Sequence, residues 1–68
     1  MNWIKVDSSR ANKVAFVKER NQAFIEFKNG DIYQYNEVSE NIFDKFIKSP
    51  SIGKAILILG QNYIKLGE

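Results

Sequence analysis

The sequence contains no cysteine and no histidine. The first absence excludes a disulfide framework and a thiolate metal site. The second removes the commonest general base, the commonest metal ligand and every Ser/His or Cys/His nucleophile. Long apolar runs are missing too. The longest is Ala55 to Leu59, whereas a membrane-spanning helix needs roughly 20 apolar residues. Met1-Asn2-Trp3-Ile4-Lys5 has neither the basic start nor the apolar stretch of a signal peptide. These absences lead us to expect a cytoplasmic binding module that uses no membrane, metal or cofactor, rather than an enzyme.

What is present suits one small domain spanning residues 1–68. Hydrophobic residues make up 44% and charged residues 26%, the balance of a globular chain rather than a disordered one. A domain this short buries only about 60% of its unfolded surface, so without disulfides it needs a dense core or a second subunit. Five Phe, three Tyr and one Trp supply core material and leave some for stacking surfaces. The net charge of +2 tolerates an anionic ligand. It falls short of the basic patch of a dedicated duplex-DNA binder.

Strand patterns fill the first half. Trp3-Ile4-Lys5-Val6 reads as a short strand, and Asp7-Ser8-Ser9-Arg10 as a polar turn. Lys13 to Lys18 alternates, with Val14 and Phe16 on one side and Ala15 and Val17 on the other. Glu19 to Gln22 has hairpin length. The clearest signal is Asn29-Gly30 between two β-rich runs, which predicts a two-residue type I′ turn. In that register Phe27 faces Ile32, Glu26 faces Tyr33, Ile25 faces Gln34, Phe24 faces Tyr35 and Lys28 faces Asp31. Ile25, Phe27 and Ile32 then form a core face, and Phe24, Glu26, Lys28, Asp31, Tyr33 and Tyr35 share the other.

Helical patterns come next. Ser39 to Lys48 has a capping serine, acidic residues early, lysines late and a stripe of Ile42, Phe43, Phe46 and Ile47. Val38 and Phe43 have hydrophobic-staple spacing. Pro50 ends this helix. Ser51 opens a second helix to Leu59 or Tyr63, with Ile52, Ala55, Ile56, Leu59 and Tyr63 on one face. A strand over Ala55 to Leu59 is the competing reading. Leu57 and Ile58 fall outside the stripe and read as an interface, which favours a homo-oligomer.

At this point the chain resembles the KTSC family, named for a domain at the C-terminus of some lysyl-tRNA synthetases and also found in stand-alone bacterial and phage proteins. The resemblance rests on Val6-Asp7-Ser8-Ser9, on Phe24, Phe27, Asn29-Gly30, Tyr33-Gln34-Tyr35 and Val38, and on Ser51-Ile52-Gly53, in that order. Ser39 stands where the family usually has Pro, and Ala55 to Leu59 is more apolar than its usual continuation. The resemblance implies an α+β fold, a bent antiparallel sheet of about four short strands followed by two helices. It implies no enzymatic activity, and the synthetase setting suggests RNA as a ligand.

Three groups carry chemistry. Ser8, Ser9 and Arg10 offer hydroxyls, backbone N–H groups and a guanidinium to an anion, although a self-satisfied polar turn is the plainer account. Ser51-Ile52-Gly53-Lys54 would place free N–H groups, a glycine and a lysine at a helix start. It is not a P-loop, because Lys48 stands where that motif needs Gly and Ala55 where it needs Ser or Thr. Tyr33, Tyr35 and Phe24 on one face could stack bases, against the plainer account that they are core. Combining these, we expect a non-catalytic binder of an anionic nucleotide. In a phage it would sequester a signalling nucleotide of host defence. The site would comprise Ser8, Ser9, Arg10, Tyr33, Tyr35, Gly53 and Lys54. The alternatives are an RNA-binding module, and an interaction module that docks on a host defence protein through Leu57 and Ile58.

Overall fold

The computed structural model describes residues 1–67. Five strands form one antiparallel sheet: β1 (Ile4–Lys5), β2 (Ala11–Val17), β3 (Gln22–Phe27), β4 (Ile32–Tyr35) and β5 (Tyr63–Lys65). Their spatial order is the chain order, so the sheet is a meander. Helix α1 (Glu40–Ile47) and the one-turn helix α2 (Ile52–Ala55) lie between β4 and β5. The result is an α+β fold.

The central hairpin departs from the expected register by one residue. Ala23 pairs with Tyr35, Phe24 with Gln34, Ile25 with Tyr33 and Glu26 with Ile32. The loop holds three residues rather than two. The Gly30 N–H donates to the Phe27 carbonyl (2.9 Å), and the Phe27 N–H donates to the Asp31 carbonyl (2.8 Å). Gly30 alone takes the left-handed conformation, at φ +93°, as in a type I turn closed by a glycine bulge. The Asn29 side chain stabilises this form. Its Oδ1 accepts from the Asp31 N–H (3.0 Å) and its Nδ2 donates to Asp31 Oδ2 (3.1 Å).

Because strand side chains alternate, a one-residue slip turns every β4 side chain over. Tyr33 and Tyr35 thus share the core face with Ala23, Ile25 and Phe27. Ile32 goes to the other side with Glu26. Phe24 also leaves the tyrosines, lying opposite Gln34 and Ala15. The expected pairings of Glu26 with Tyr33 and Lys28 with Asp31 are replaced. Glu26 pairs with Lys13 on β2 (3.3 Å) and Asp31 with Lys65 on β5 (3.5 Å).

A bulge interrupts β2. Ala11 pairs with Phe27 and Lys13 with Glu26, which leaves Asn12 outside the ladder. The Asn12 amide donates to Glu26 Oε1 (3.1 Å) and to the Phe27 carbonyl (3.3 Å). That amide, and then Lys13, hold the Glu26 carboxyl below its ordinary value, against the opposing effect of desolvation. Such bulges bend a strand and increase its twist.

The helices cover one face of the sheet. Ser39 caps α1 by accepting the Ile42 N–H (3.2 Å), and Lys48 closes it with an ion pair to Asp44 (3.0 Å). Phe46 and Val38 are fully buried, and Phe43 nearly so. Phe43 stacks on Phe16 of β2 with ring centroids 4.9 Å apart. The second helix is far shorter than the pattern predicted. It ends at Ala55, and Ile56–Leu59 continues as a 3-10 turn. Ile52, Ala55 and Leu59 are buried as expected, while Leu57 is 83% exposed. Gly60, at φ +89°, then redirects the chain. Tyr63 belongs to β5 and not to the helical stripe. The apolar run Ile56-Leu57-Ile58 is helical despite its two β-branched residues, because the sheet edge is already taken by β5.

Substituting Gly30→Ala tests the hairpin. A Cβ there meets no atom within 4 Å, so only the positive φ is penalised. Unfolding free energy is expected to fall by about 1–2 kcal/mol in urea titration. No loss would show that the glycine bulge is not what sets the register.

Candidate functional site

Arg10 stands one residue before β2, and its backbone is held on both sides. Its N–H donates to Ser8 Oγ (3.1 Å), and its carbonyl accepts from the Lys28 N–H (2.9 Å). Ser8 Oγ also accepts from the Ala11 N–H (3.3 Å). The Ser8 hydroxyl therefore builds the turn that presents Arg10, a local side-chain-to-backbone pattern typical of serine. The Arg10 side chain crosses to the helical layer, where Nη1 donates to the Gly53 carbonyl (3.1 Å). Its route lies directly over Gly53. A Cβ at that position would come within 2.9 Å of Arg10 Cδ. No carboxylate pairs with Arg10 among the described residues.

Two depressions meet at this guanidinium. One, of about 410 Å³, is lined by Asp7, Ser8, Ser9, Arg10 and the Pro50–Lys54 segment. The structure thus brings Ser8, Ser9, Arg10, Gly53 and Lys54 together around one cleft. The helix start contributes less than its sequence suggested. Helix α2 has only four residues, and the Lys54 N–H is already taken by Ser51 Oγ (3.4 Å). The charge available to an anion there comes from side chains, chiefly Arg10 and Lys54.

The other depression, of about 440 Å³, is lined by Arg10, Phe27, Tyr33, Tyr35, Ile56, Leu57, Gly60, Gln61 and Tyr63. Tyr33 lies edge-on to Phe27 at 5.3 Å between ring centroids. Tyr63 joins Tyr33 at 5.6 Å and Tyr35 at 5.2 Å. Tyr33 and Tyr35 therefore sit together, as their alternation predicts. Phe24 does not join them, and Phe27 takes its place because of the register. Gln61 escapes the sequence reading, which places Tyr63 on the stripe of a helix ending at Leu59 or Tyr63 rather than in a cavity. The alternation in Tyr63-Ile64-Lys65 was the available signal, weak over three residues. Leu57 stands on the rim of this cavity, and Ile58 beside it is 44% exposed.

Tyr35 is only 4% exposed. Its hydroxyl has no hydrogen-bond partner among the described residues, but it is not a buried orphan: its oxygen still reaches solvent. Burial raises the Tyr35 phenol above its ordinary value of 10.0. Tyr63 and Tyr33 add to the rise, and the Arg10 charge opposes it. A third depression, at Gly30 and Lys65, has its charges engaged with each other through the Asp31–Lys65 pair. No cluster of three or more acidic side chains suited to a metal occurs among the described residues, and no helix there is long and apolar enough to cross a membrane.

This geometry has two testable outcomes. Gly53→Ala should displace the Arg10 side chain, read as a changed Arg10 Nε–Hε resonance. Stability should fall by only about 1 kcal/mol, because a flexible side chain gives way first. An unmoved resonance would count against the close approach. For Tyr35, the folded state holds the phenolic proton more tightly than the unfolded chain does. Its contribution is fully present below pH 10 and is lost as pH rises through the raised folded value. Urea midpoints measured on either side of about pH 10 should decline on the alkaline side, and less so in Tyr35→Phe. Equal decline in both proteins would refute the assignment.

Comparison with known proteins agrees with this architecture. A protein-family scan matches the KTSC domain over residues 7–56. A search of curated proteins finds no match. The crystal structure of a KTSC domain protein from Yersinia pestis superimposes with a TM-score of 0.88 and 26% sequence identity, covering 97% of each chain. With most of its length matched in sequence and nearly all of it in structure, the chain belongs to the KTSC domain family.

Proposed function

We propose that this protein is a non-catalytic binding module for a small anionic nucleotide, with Arg10 as its central contact. The observation that carries the reading is the position of Arg10. It has no acidic partner among the described residues and borders both the serine–lysine cleft and the aromatic cavity. A guanidinium forms strong, directional hydrogen bonds with phosphate oxygens. Lys54 and the exposed Ser9 border the same cleft and can add contacts to the anion. Tyr33 and Tyr35 lie across the guanidinium, where the rest of a nucleotide would extend.

A module that holds a nucleotide without altering it acts by sequestering it. In a phage-infected cell the corresponding target is a signalling nucleotide of host defence. The exposed Leu57, next to Ile58 on the 3-10 turn, supports self-association as the working state. The alternative of RNA binding would engage many phosphates and show steep salt dependence. One guanidinium and one lysine imply a shallow one.

Native mass spectrometry with pooled ribonucleotides tests the proposal. The expected result is a discrete oligomer that retains a nucleotide-sized mass. Arg10→Ala should weaken binding by about tenfold or more while preserving the melting temperature, since a charge-assisted hydrogen bond contributes about 1.5–3 kcal/mol. Retention of no nucleotide by the wild-type protein, or unchanged affinity in the variant, would overturn it.

A further inference from the structure

We infer that the aromatic cavity is a nucleobase subsite whose outer wall is supplied by the C-terminal strand, with Tyr63 as the stacking face and Gln61 and the Tyr35 hydroxyl as contacts to the base edge. This rests on the anion reading above and adds the part of the ligand that the phosphate cleft does not hold.

The lining chemistry selects the ligand class. Phe27, Tyr33, Tyr35 and Tyr63 put four rings around one space, with neighbouring centroids 5.2–5.6 Å apart. These rings touch one another in edge-on and tilted pairs, so a further planar ring stacks on the half-exposed Tyr63 rather than between them. An alkyl chain would fill the space equally well by area alone. It would, however, cut the Tyr35 hydroxyl, which has no partner among the described residues, off from the solvent that now reaches it. An unsatisfied polar group in such a site is costly. A heterocycle with acceptors and donors on its edge meets that hydroxyl and the Gln61 amide together. Arg10, common to both depressions, directs the ligand's anionic group towards Ser9 and Lys54. A planar base joined to phosphate satisfies all three requirements.

The wall's origin bears on specificity. Arg10, Phe27, Tyr33 and Tyr35 fall within residues 7–56, which the family match covers, whereas Gln61 and Tyr63 lie beyond it. Tyr63 is held in place by pairing of β5 with Tyr35 on β4 and by the Asn62 carbonyl, which accepts the Asn36 N–H (2.8 Å). Gly60 turns the chain so that Gln61 and Tyr63 reach the cavity. The anion cleft is thus built from the matched segment, and the base-reading wall from the C-terminal segment after it.

Isothermal titration of the full chain with inorganic pyrophosphate, ADP, GDP, CDP and UDP tests the inference. The tightest nucleoside diphosphate should bind about tenfold or more tighter than pyrophosphate, the size expected of base stacking. Tyr63→Leu, which keeps apolar bulk, should remove that advantage and leave pyrophosphate affinity unchanged. Tyr63→Phe should retain it. Gln61→Ala, outside the strand, should alter the ranking of the four bases and guards against a folding defect in the Tyr63 variants. Equal affinity of the wild type for pyrophosphate and the nucleoside diphosphates would overturn the base subsite but leave the anion site standing. So would unchanged base preference in both Tyr63→Leu and Gln61→Ala. Absence of binding to all five probes would sink the anion reading, and the subsite with it.

Discussion

The glycine bulge at Gly30 governs which way β4 faces. With one extra residue in the loop, Tyr33 and Tyr35 turn to the side that carries Ala23, Ile25 and Phe27. The helices pack on that same side, and Tyr35 enters the core cluster with Phe46 and Ile25. The strand can then be amphipathic in an unusual sense. Its aromatic residues serve as core at one end of the ring and as cavity wall at the other. Had the loop closed with two residues, Ile32 and Gln34 would occupy those positions and the cavity beside Arg10 would lose Tyr33 and Tyr35. A single backbone conformation at φ +93° therefore precedes both the packing of the sheet and the chemistry of its cavity.

The second constraint is the irregularity at the start of β2. Asn12 leaves the ladder, and Ser8 ties its hydroxyl to two backbone N–H groups just before it. Between these two features, Arg10 has little backbone freedom and leans across Gly53. Glycine is required there for space. The φ of Gly53 is unexceptional, so the missing Cβ matters only because the arginine stem passes over it. Ser8 and Arg10, two residues apart, and the distant Gly53 thus form one mechanical unit that holds the flexible cation in place. Such preorganisation lowers the entropy that ligand binding would otherwise have to overcome.

The last strand closes the arrangement from outside. β5 is a three-residue edge strand, exposed along its length. Its ion pair to Asp31 and its ladder with β4 hold it against the sheet. Short edge strands with a lysine resist unwanted pairing with other chains. Here the same strand presents Tyr63 to the cavity. Tyr63 and Lys65, two residues apart, lie on the same side of this short segment, so the ion pair to Asp31 and the cavity wall share one face.

Local signals in the sequence determined much of this protein. The cap at Ser39, the stripe through Phe43 and Phe46, the stop before Pro50 and the presence of a hairpin at Asn29-Gly30 all arise from interactions within a few residues. The ordered serine, asparagine–glycine, tyrosine and glycine positions also sufficed to indicate the family. Tertiary structure decided the rest. The sequence Asn-Gly is compatible with two- and three-residue loops, and the choice depends on which β4 face can bury Tyr35 beneath the helices. The end of α2 was likewise undetermined, because an apolar run reads alike as helix or strand until a sheet edge is free to receive the next segment. The meeting of Arg10 with Gly53, and of Tyr63 with Tyr33 and Tyr35, joins residues separated by more than 25 positions. No local periodicity encodes such contacts. They exist only once the bulges have bent the sheet and the helices have brought the chain back to its edge.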